Sequence, residues 1–412
     1  MLTLLLISAF ALAFDIHWAR GQPTTIVVPD DYASIQDAIN HASDGYTVFV
    51  RAGLYSRQDI IVNKSISLVG ENKETTIIEG FWDRYWYVGK VSLVSDNVTF
   101  RGFTVRQSEC SVMVESSNCL ITDNIFVNND EGIWLSGTEK PACANTISYN
   151  LIANSDDTGI LVRGSSNNHI AFNVIKETFF GIYVMLNSSC CLIERNAVSN
   201  NRDAGVLFDI GSSDNTLIGN NISNNGWRWD TFTCGVGFAV GSKRNRVMCN
   251  SICNNKRGVF QNAASDDNVI YHNSFINNSV RLYYNPRAPA INIWDNGYPS
   301  GGNYWSDYVA VDEYKGPYQN VTGSDGIGDA ALVLDSGDNV DRYPLIKPYV
   351  PSAGDLNLDG KVDVKDVAAV AEAYGSHPGD ARWNPIADIN RDDRIDVRDV
   401  ALVCRNYGEK RP

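Results

Sequence analysis

Beyond residue 14 the chain has no apolar run approaching the roughly 20 residues that a membrane helix needs, so no later segment is expected to cross a bilayer. Basic residues are in deficit: 34 Lys and Arg stand against 48 Asp and Glu, giving a net charge of −14, and no basic patch stands out. Nucleic acid calls for a positive footprint against its phosphates and is not an expected partner. Acidic sugars such as polygalacturonate would be repelled on average as well, unless calcium or a local basic groove intervened. Also missing through the middle of the chain is any heptad or 3.6-residue apolar stripe long enough to build helices.

What fills that middle is one asparagine that keeps returning. Asn124, Asn150, Asn173, Asn196, Asn220, Asn250 and Asn273 each open a similar phrase, at spacings of 26, 23, 23, 24, 30 and 23. Three residues before each sits Ile121, Ile147, Ile170, Ile193, Leu217, Val247 or Ile270. Two residues after sits Phe126, Ile152, Ile175, Val198, Ile222, Ile252 or Phe275. A period of this length marks a solenoid, and β-branched residues alternating with polar ones mark strands within it. About 23 residues suit one turn of a parallel β-helix, three short strands stacked at roughly 4.8 Å per turn. The asparagine is then expected to stack on its copies at one corner, bonding up and down the column and itself taking the left-handed backbone of the corner.

Before the repeats, Thr24 to Val28 reads as a strand, and Ser34 caps a short amphipathic helix from Ile35 to Ala42 that would cover the apolar end of the solenoid. Residues 1–21 read as a secretory signal, with an apolar core from Leu2 to Phe14 but no positive start. Nine cysteines is an odd number. Cys119 and Cys191 share one column three turns apart, too far to bond, and read as small buried hydrophobes; Cys119 with Cys143, or Cys249 with Cys234 or Cys253, stay open as bridges. The long turn between Asn220 and Asn250 carries Trp227, Arg228 and Trp229, either a sugar platform or a loop packing its own aromatics. The cluster Phe81 to Tyr87 has the same two readings.

After Asn285 the period fails. Gly302-Asn303-Tyr304-Trp305-Ser306-Asp307-Tyr308, Asp325-Gly326-Ile327-Gly328-Asp329 and Asn339-Val340-Asp341-Arg342-Tyr343-Pro344-Leu345 look like a final cap. Together with Val28-Pro29-Asp30-Asp31-Tyr32 and Ser34-Ile35-Gln36-Asp37-Ala38-Ile39, they make residues 24–350 resemble the NosD-like, pectin-lyase-like proteins of the carbohydrate-binding and sugar-hydrolysis superfamily. The resemblance implies a right-handed, single-stranded parallel β-helix, at the cell surface or in the periplasm, with no fixed catalytic residues to carry over.

Residues 354–408 hold a tandem duplication offset by 33 residues. Oxygen donors fall at positions 1, 3, 5, 9 and 12 of a twelve-residue loop, with a backbone carbonyl at 7, the pattern that wraps calcium. In the first loop these are Asp355, Asn357, Asp359, the Lys361 carbonyl, Asp363 and Asp366; in the second, Asp388, Asn390, Asp392, the Arg394 carbonyl, Asp396 and Asp399. Short helices are expected at Val367 to Tyr374 and Val400 to Tyr407, ending on Gly375 and Gly408. Position 6 is Gly360 in one loop and Asp393 in the other, so the second site is expected to be the weaker. The segment resembles a type I dockerin. The resemblance implies two calcium ions, a small helical module, and a cohesin partner contacted by positions 10 and 11, here Val364 and Lys365, Val397 and Arg398.

No catalytic residue is assigned. Asp156-Asp157 invites reading as an acid pair, but Asp130-Glu131 and Asp203 fill the same slot in other turns, so it reads as a polar corner. His17, His41, His169, His272 and His377 are scattered and do not cluster with Met113, Met185 or Met248, which argues against copper. The expectation is a secreted or cell-surface β-helix that binds polysaccharide or another surface glycan, tethered through a calcium-dependent dockerin. Its rivals are a polysaccharide lyase or glycoside hydrolase on the same tether, and a structural surface-layer protein.

Overall fold

The computed structural model describes residues 24–409 except 57–58, 84–85, 138–139, 228–231, 263, 286–288, 310, 336–337, 378–381, 383, 385, 391 and 393, and only the backbone of 82–83 and 86–88. The proposed signal segment, Arg228, Trp229 and Asp393 therefore lie outside the described residues.

Three parallel sheets of eleven, eleven and ten strands run the length of a β-solenoid. Each turn lays one short strand on each sheet. The two apolar columns read from the sequence are in register: Ile147 pairs with Ile170 on the first sheet and Ile152 with Ile175 on the second. A third column, Val112, Ile133, Ile160, Ile182, Val206, Val236 and Val259, lines the third sheet. All are buried in one continuous core. Each such side chain contributes about 1.5–3 kcal/mol on leaving water.

The asparagines do form a ladder, with one correction. The left-handed residue is the one before each of them: Asp123, Tyr149, Phe172, Arg195, Gly219, Cys249 and His272 all have φ between 53° and 67°. That corner turns the next side chain inward. Asn173 Oδ1 then accepts from Asn150 N (3.1 Å) and Asn150 Nδ2 (3.0 Å), while Asn173 Nδ2 donates to Ile147 O (2.9 Å). Each amide thus satisfies backbone groups that two strand ends would otherwise leave buried and unpaired. Two further ladders occupy the other corners. Asn201, Asn225, Asn255 and Asn278 form one. Asn215, Asn245, Asn268 and Asn292 form the other, and Cys119 and Cys191 sit in its column as buried thiols. All nine cysteines are free, so none of the bridges left open by the sequence is present.

Helix α1, Ile35–His41, covers the N-terminal end by burying Ile35, Ala38 and Ile39, with Ser34 accepting from Asp37 N as its cap. At the other end two ladders are closed by the predicted cap motif. Asn339 Oδ1 accepts from Asn292 N and from Trp294 Nε1; Asp341 Oδ2 accepts from Asn303 N and from Trp305 Nε1. Trp305 stacks on Phe275 of the last turn at 4.2 Å.

The C-terminal module packs α2, Val364–Ala373, against α3, Val397–Arg405, over a small core that includes Val362, Val370, Ile395 and Val403. Both helices begin three residues earlier than the sequence reading. The reason is local: Asp363 and Asp396, at loop position 9, act as N-caps, and Asp366 and Asp399 complete the capping boxes. Gly375 and Gly408 follow in left-handed geometry, as expected.

Candidate functional site

The outer face of the third sheet carries the densest chemistry on the solenoid. Outward positions in register are Met113, Trp134, Leu161, Tyr183, Leu207, Gly237, Phe260 and Tyr283. Alternation along each strand turns these away from the solenoid core that their neighbours fill, and Leu161, Leu207 and Phe260 are buried there under the groups packed on that face. Cations lie over several of the rings: Arg257 sits 4.1 Å from the Tyr283 centroid, Arg202 5.6 Å from Phe179 and Arg163 5.9 Å from Trp134.

Beside this aromatic strip lie Asp130, Glu131, Asp156 and Asp157, the acids of the polar corner. Burial, then the charges of Asp157, Asp130 and Glu109, raise Glu131 from the ordinary 4.5 to about 7. Burial raises Asp157 also, and burial with the Asp157 and Asp156 charges raises Asp130. A carboxyl held near 7 can be protonated or ionised at neutral pH, which is what general acid–base work requires. Asp203 is different: it accepts from Phe232 N and Thr233 N and serves as a structural anchor for the long turn. A shared offset before Gly132 and Gly159 was the sequence signal that these acids stack; their partial burial was not legible there.

Because Glu131 is raised, the native state binds its proton more tightly than the unfolded chain. That contribution is complete below about 4.5 and is lost as pH rises through about 7. Glu131→Gln should therefore flatten the decline in urea midpoint between pH 4.5 and 7; an unchanged slope in that range counts against the burial of Glu131.

The long turn splits between its two readings. Phe232 folds back over the wall, edge-on to Phe260 at 5.3 Å, and packs with Ala204, Leu207 and Cys234. Trp227 does the opposite. It is 63% exposed and borders a pocket of ≈ 350 Å³ with Asn224, Asn254, Lys256 and Ser279. An exposed indole beside amides and an ammonium is suited to stacking on a sugar ring and bonding its hydroxyls. Phe81–Asp83 and Trp86–Val88 form a small antiparallel pair.

In the C-terminal module the two loops repeat each other contact for contact. Asp366 Oδ1 accepts from Leu356 N (2.8 Å), and Asp399 Oδ1 from Ile389 N (2.8 Å). Asp359 N donates to Asp355 Oδ1, and Asp392 N to Asp388 Oδ1, both at 3.1 Å. A cation reaches position 5 in each: Lys365 Nζ lies 3.2 Å from Asp359 and Arg398 Nη1 3.1 Å from Asp392. Among the described residues no three His, Cys, Asp or Glu side chains already converge as a metal cluster. The donor set is nonetheless all hard oxygen, spaced around Gly360 at φ 84°, and calcium fits that chemistry. Positions 10 face solvent, Val364 at 66% and Val397 at 64% exposure.

His169 pairs with Glu194, His272 bonds Ser300 and His41 bonds the Asp37 carbonyl of its own helix; none of these contacts joins a second histidine.

The periplasmic copper-binding protein (NosD) family profile matches residues 39–231 and 144–310, and the dockerin type I domain profile matches 353–407. A probable ABC transporter binding protein NosD from Stutzerimonas stutzeri is 34% identical over 93 residues, 23% of this chain and 18% of that protein. Its counterpart from Pseudomonas aeruginosa is 36% identical over 93 residues, with the same shares. The matched region thus spans less than a fifth of these relatives. Among solved structures, the alginate lyase from Paenibacillus sp. str. FPU-7 is 12% identical with a TM-score of 0.39, over 68% of this chain and 98% of that one. The Azotobacter vinelandii mannuronan C-5 epimerase AlgE4 A-module is 12% identical with a TM-score of 0.38, over 67% and 90%. Likeness at this level says nothing of activity.

Proposed function

We propose a function from one premise: the chain belongs to the NosD family and carries a type I dockerin domain at its C-terminus. It is a β-helix protein exported from the cytosol that holds a polysaccharide or surface glycan against its side and is tethered to a cohesin. Type I dockerin domains bind calcium, and two ions, one per loop, fit the two repeated donor sets. The observation that carries the tether is the pair of exposed positions 10 at the start of α2 and α3. Val364 with Lys365 and Val397 with Arg398 offer a cohesin two near-equivalent faces, each an apolar side chain beside a cation.

For the glycan, exposed Trp227 and its pocket give the strongest support. In a panel of neutral and acidic polysaccharides run as affinity gels, the intact protein should be retarded by at least one. Trp227→Ala should lose about 1–3 kcal/mol of that binding, the worth of one stacked aromatic platform. Equal retardation of both proteins would remove Trp227 from the site.

A second reading is carried by Glu131: a carboxyl near 7 among other acids and next to an aromatic strip is equipped for lyase or hydrolase chemistry. Release of unsaturated products or reducing ends in the same panel, abolished by Glu131→Gln, would favour it over binding alone.

A further inference from the structure

The dockerin-like module does not hang from the solenoid on a free linker; its first calcium loop lies against the corner of the first sheet. That corner column reads Tyr149, Phe172, Arg195, Gly219, Cys249 and His272 along successive turns. Tyr349 of the linker stacks on His272 with centroids 3.9 Å apart. Leu358, at loop position 4, is buried with Ile218, Met248 and Tyr271 of the sheet. Gly219 makes the room: a Cβ there would come within 2.9 Å of Leu358 Cδ1. Arg195 Nη2 then donates to Leu356 O at 2.7 Å, fixing loop position 2.

Leu358 adopts φ 58°, a left-handed conformation that costs a residue other than Gly, Asn or Asp about 1–2 kcal/mol. It contributes nothing to the module's own core, which is built from Leu356, Val362 and their partners. The apolar contact with the sheet is what offsets that strain, and the Arg195 bond holds the adjoining backbone. We propose that the β-helix wall organises the first loop for calcium, so that docking of the module and calcium binding reinforce each other. By linkage, whatever the wall adds to calcium affinity, calcium adds to docking. Among the described residues the contacts with the sheet named above come from the first loop and the linker, and positions 10 of both segments stay exposed, so a docked module still presents its cohesin face. The consequence is a fixed direction for the β-helix relative to the cohesin.

This rests on the calcium reading, and the test separates the two. In the intact chain, calcorimetric titration of Asp392→Ala isolates the first loop. Adding Met248→Glu, an outward substitution that leaves the solenoid core alone, or Arg195→Ala, should weaken first-loop affinity about tenfold. It should also speed amide exchange at residues 356–359, while Asp359→Ala, which isolates the second loop, should show no dependence on either substitution. Solution scattering should report a longer maximum dimension for Met248→Glu than for the unsubstituted protein. First-loop affinity within twofold and identical dimensions across all variants would overturn the coupling. No calcium uptake by any variant would instead overturn the calcium reading and the coupling with it, even with the module docked.

Discussion

Asn196→Ala should destabilise the solenoid by about 4 kcal/mol, an unusually large loss for truncating one polar side chain. Asn196 Oδ1 accepts from Asn173 N at 2.9 Å and Asn173 Nδ2 at 3.0 Å. Its Nδ2 donates to Ile170 O at 2.9 Å and Asn220 Oδ1 at 3.0 Å. Alanine removes all four bonds from a buried corner; Asn220 Oδ1 keeps the Asn196 N–H and Asn173 Nδ2 keeps Ile147 O, but Asn173 N and Ile170 O lose their amide partner, and each buried group left unpaired costs about 1–3 kcal/mol. With two of the four partners still bonded, the loss is that of about two unpaired groups. Asn200, four residues on, is the control: it sits outward in left-handed geometry at φ 58°. Asn200→Ala should cost only about 1 kcal/mol of backbone strain. Thermal and urea midpoints of both variants compare the two. Similar losses would mean that the ladder contributes no more than the corner conformation.

Chelating calcium should unfold the C-terminal module while the solenoid stays folded. Asp366 and Asp399 are wholly buried, with only backbone N–H donors around them in the module's own contacts. Asp355 is likewise crowded: burial, opposed by the Gly360 N–H and reinforced by the charges of Asp366 and Asp359, raises it to about 6. Carboxylates so placed need a cation to share, and the module's core is small. At free calcium 1,000 times the dissociation constant the ion adds about 4.1 kcal/mol per site, comparable with the stability of so small a domain. Helical circular dichroism should fall on chelation and return with calcium. A module that keeps its helices in chelator would show that hydrophobic packing alone suffices.

The solenoid was legible because its physics is one-dimensional: every turn meets only its neighbours, so spacing in the chain is position in the fold. Ile147 over Ile170 and Ile152 over Ile175 follow from that alone. The other two asparagine ladders were equally present, at five residues either side of the first, as Asn145 and Asn168 or Asn201 and Asn225 show. They were missed because serine, threonine and cysteine interrupt both columns. The left-handed role was placed on the asparagine when it belongs to the residue before, where Tyr149, Phe172 and Arg195 carry no composition signal of a corner. The calcium loops were legible because a metal fixes its donors by spacing. Contact between Leu358 and the first sheet was not, since it joins residues from 87 (Tyr271) to 140 (Ile218) positions apart with no repeat to announce it. The elevation of Glu131 depends on burial and on acids from other turns, which spacing suggests but cannot weigh.

Retention of the intact chain on an immobilised type I cohesin, in millimolar calcium and then in chelator, addresses the tether most directly. The protein should be held in calcium and released by chelator. It should survive charge reversal at Lys365 or at Arg398 singly and be lost when both are reversed. Binding indifferent to calcium, or no binding to cohesins from the same source, would contradict the tethered β-helix.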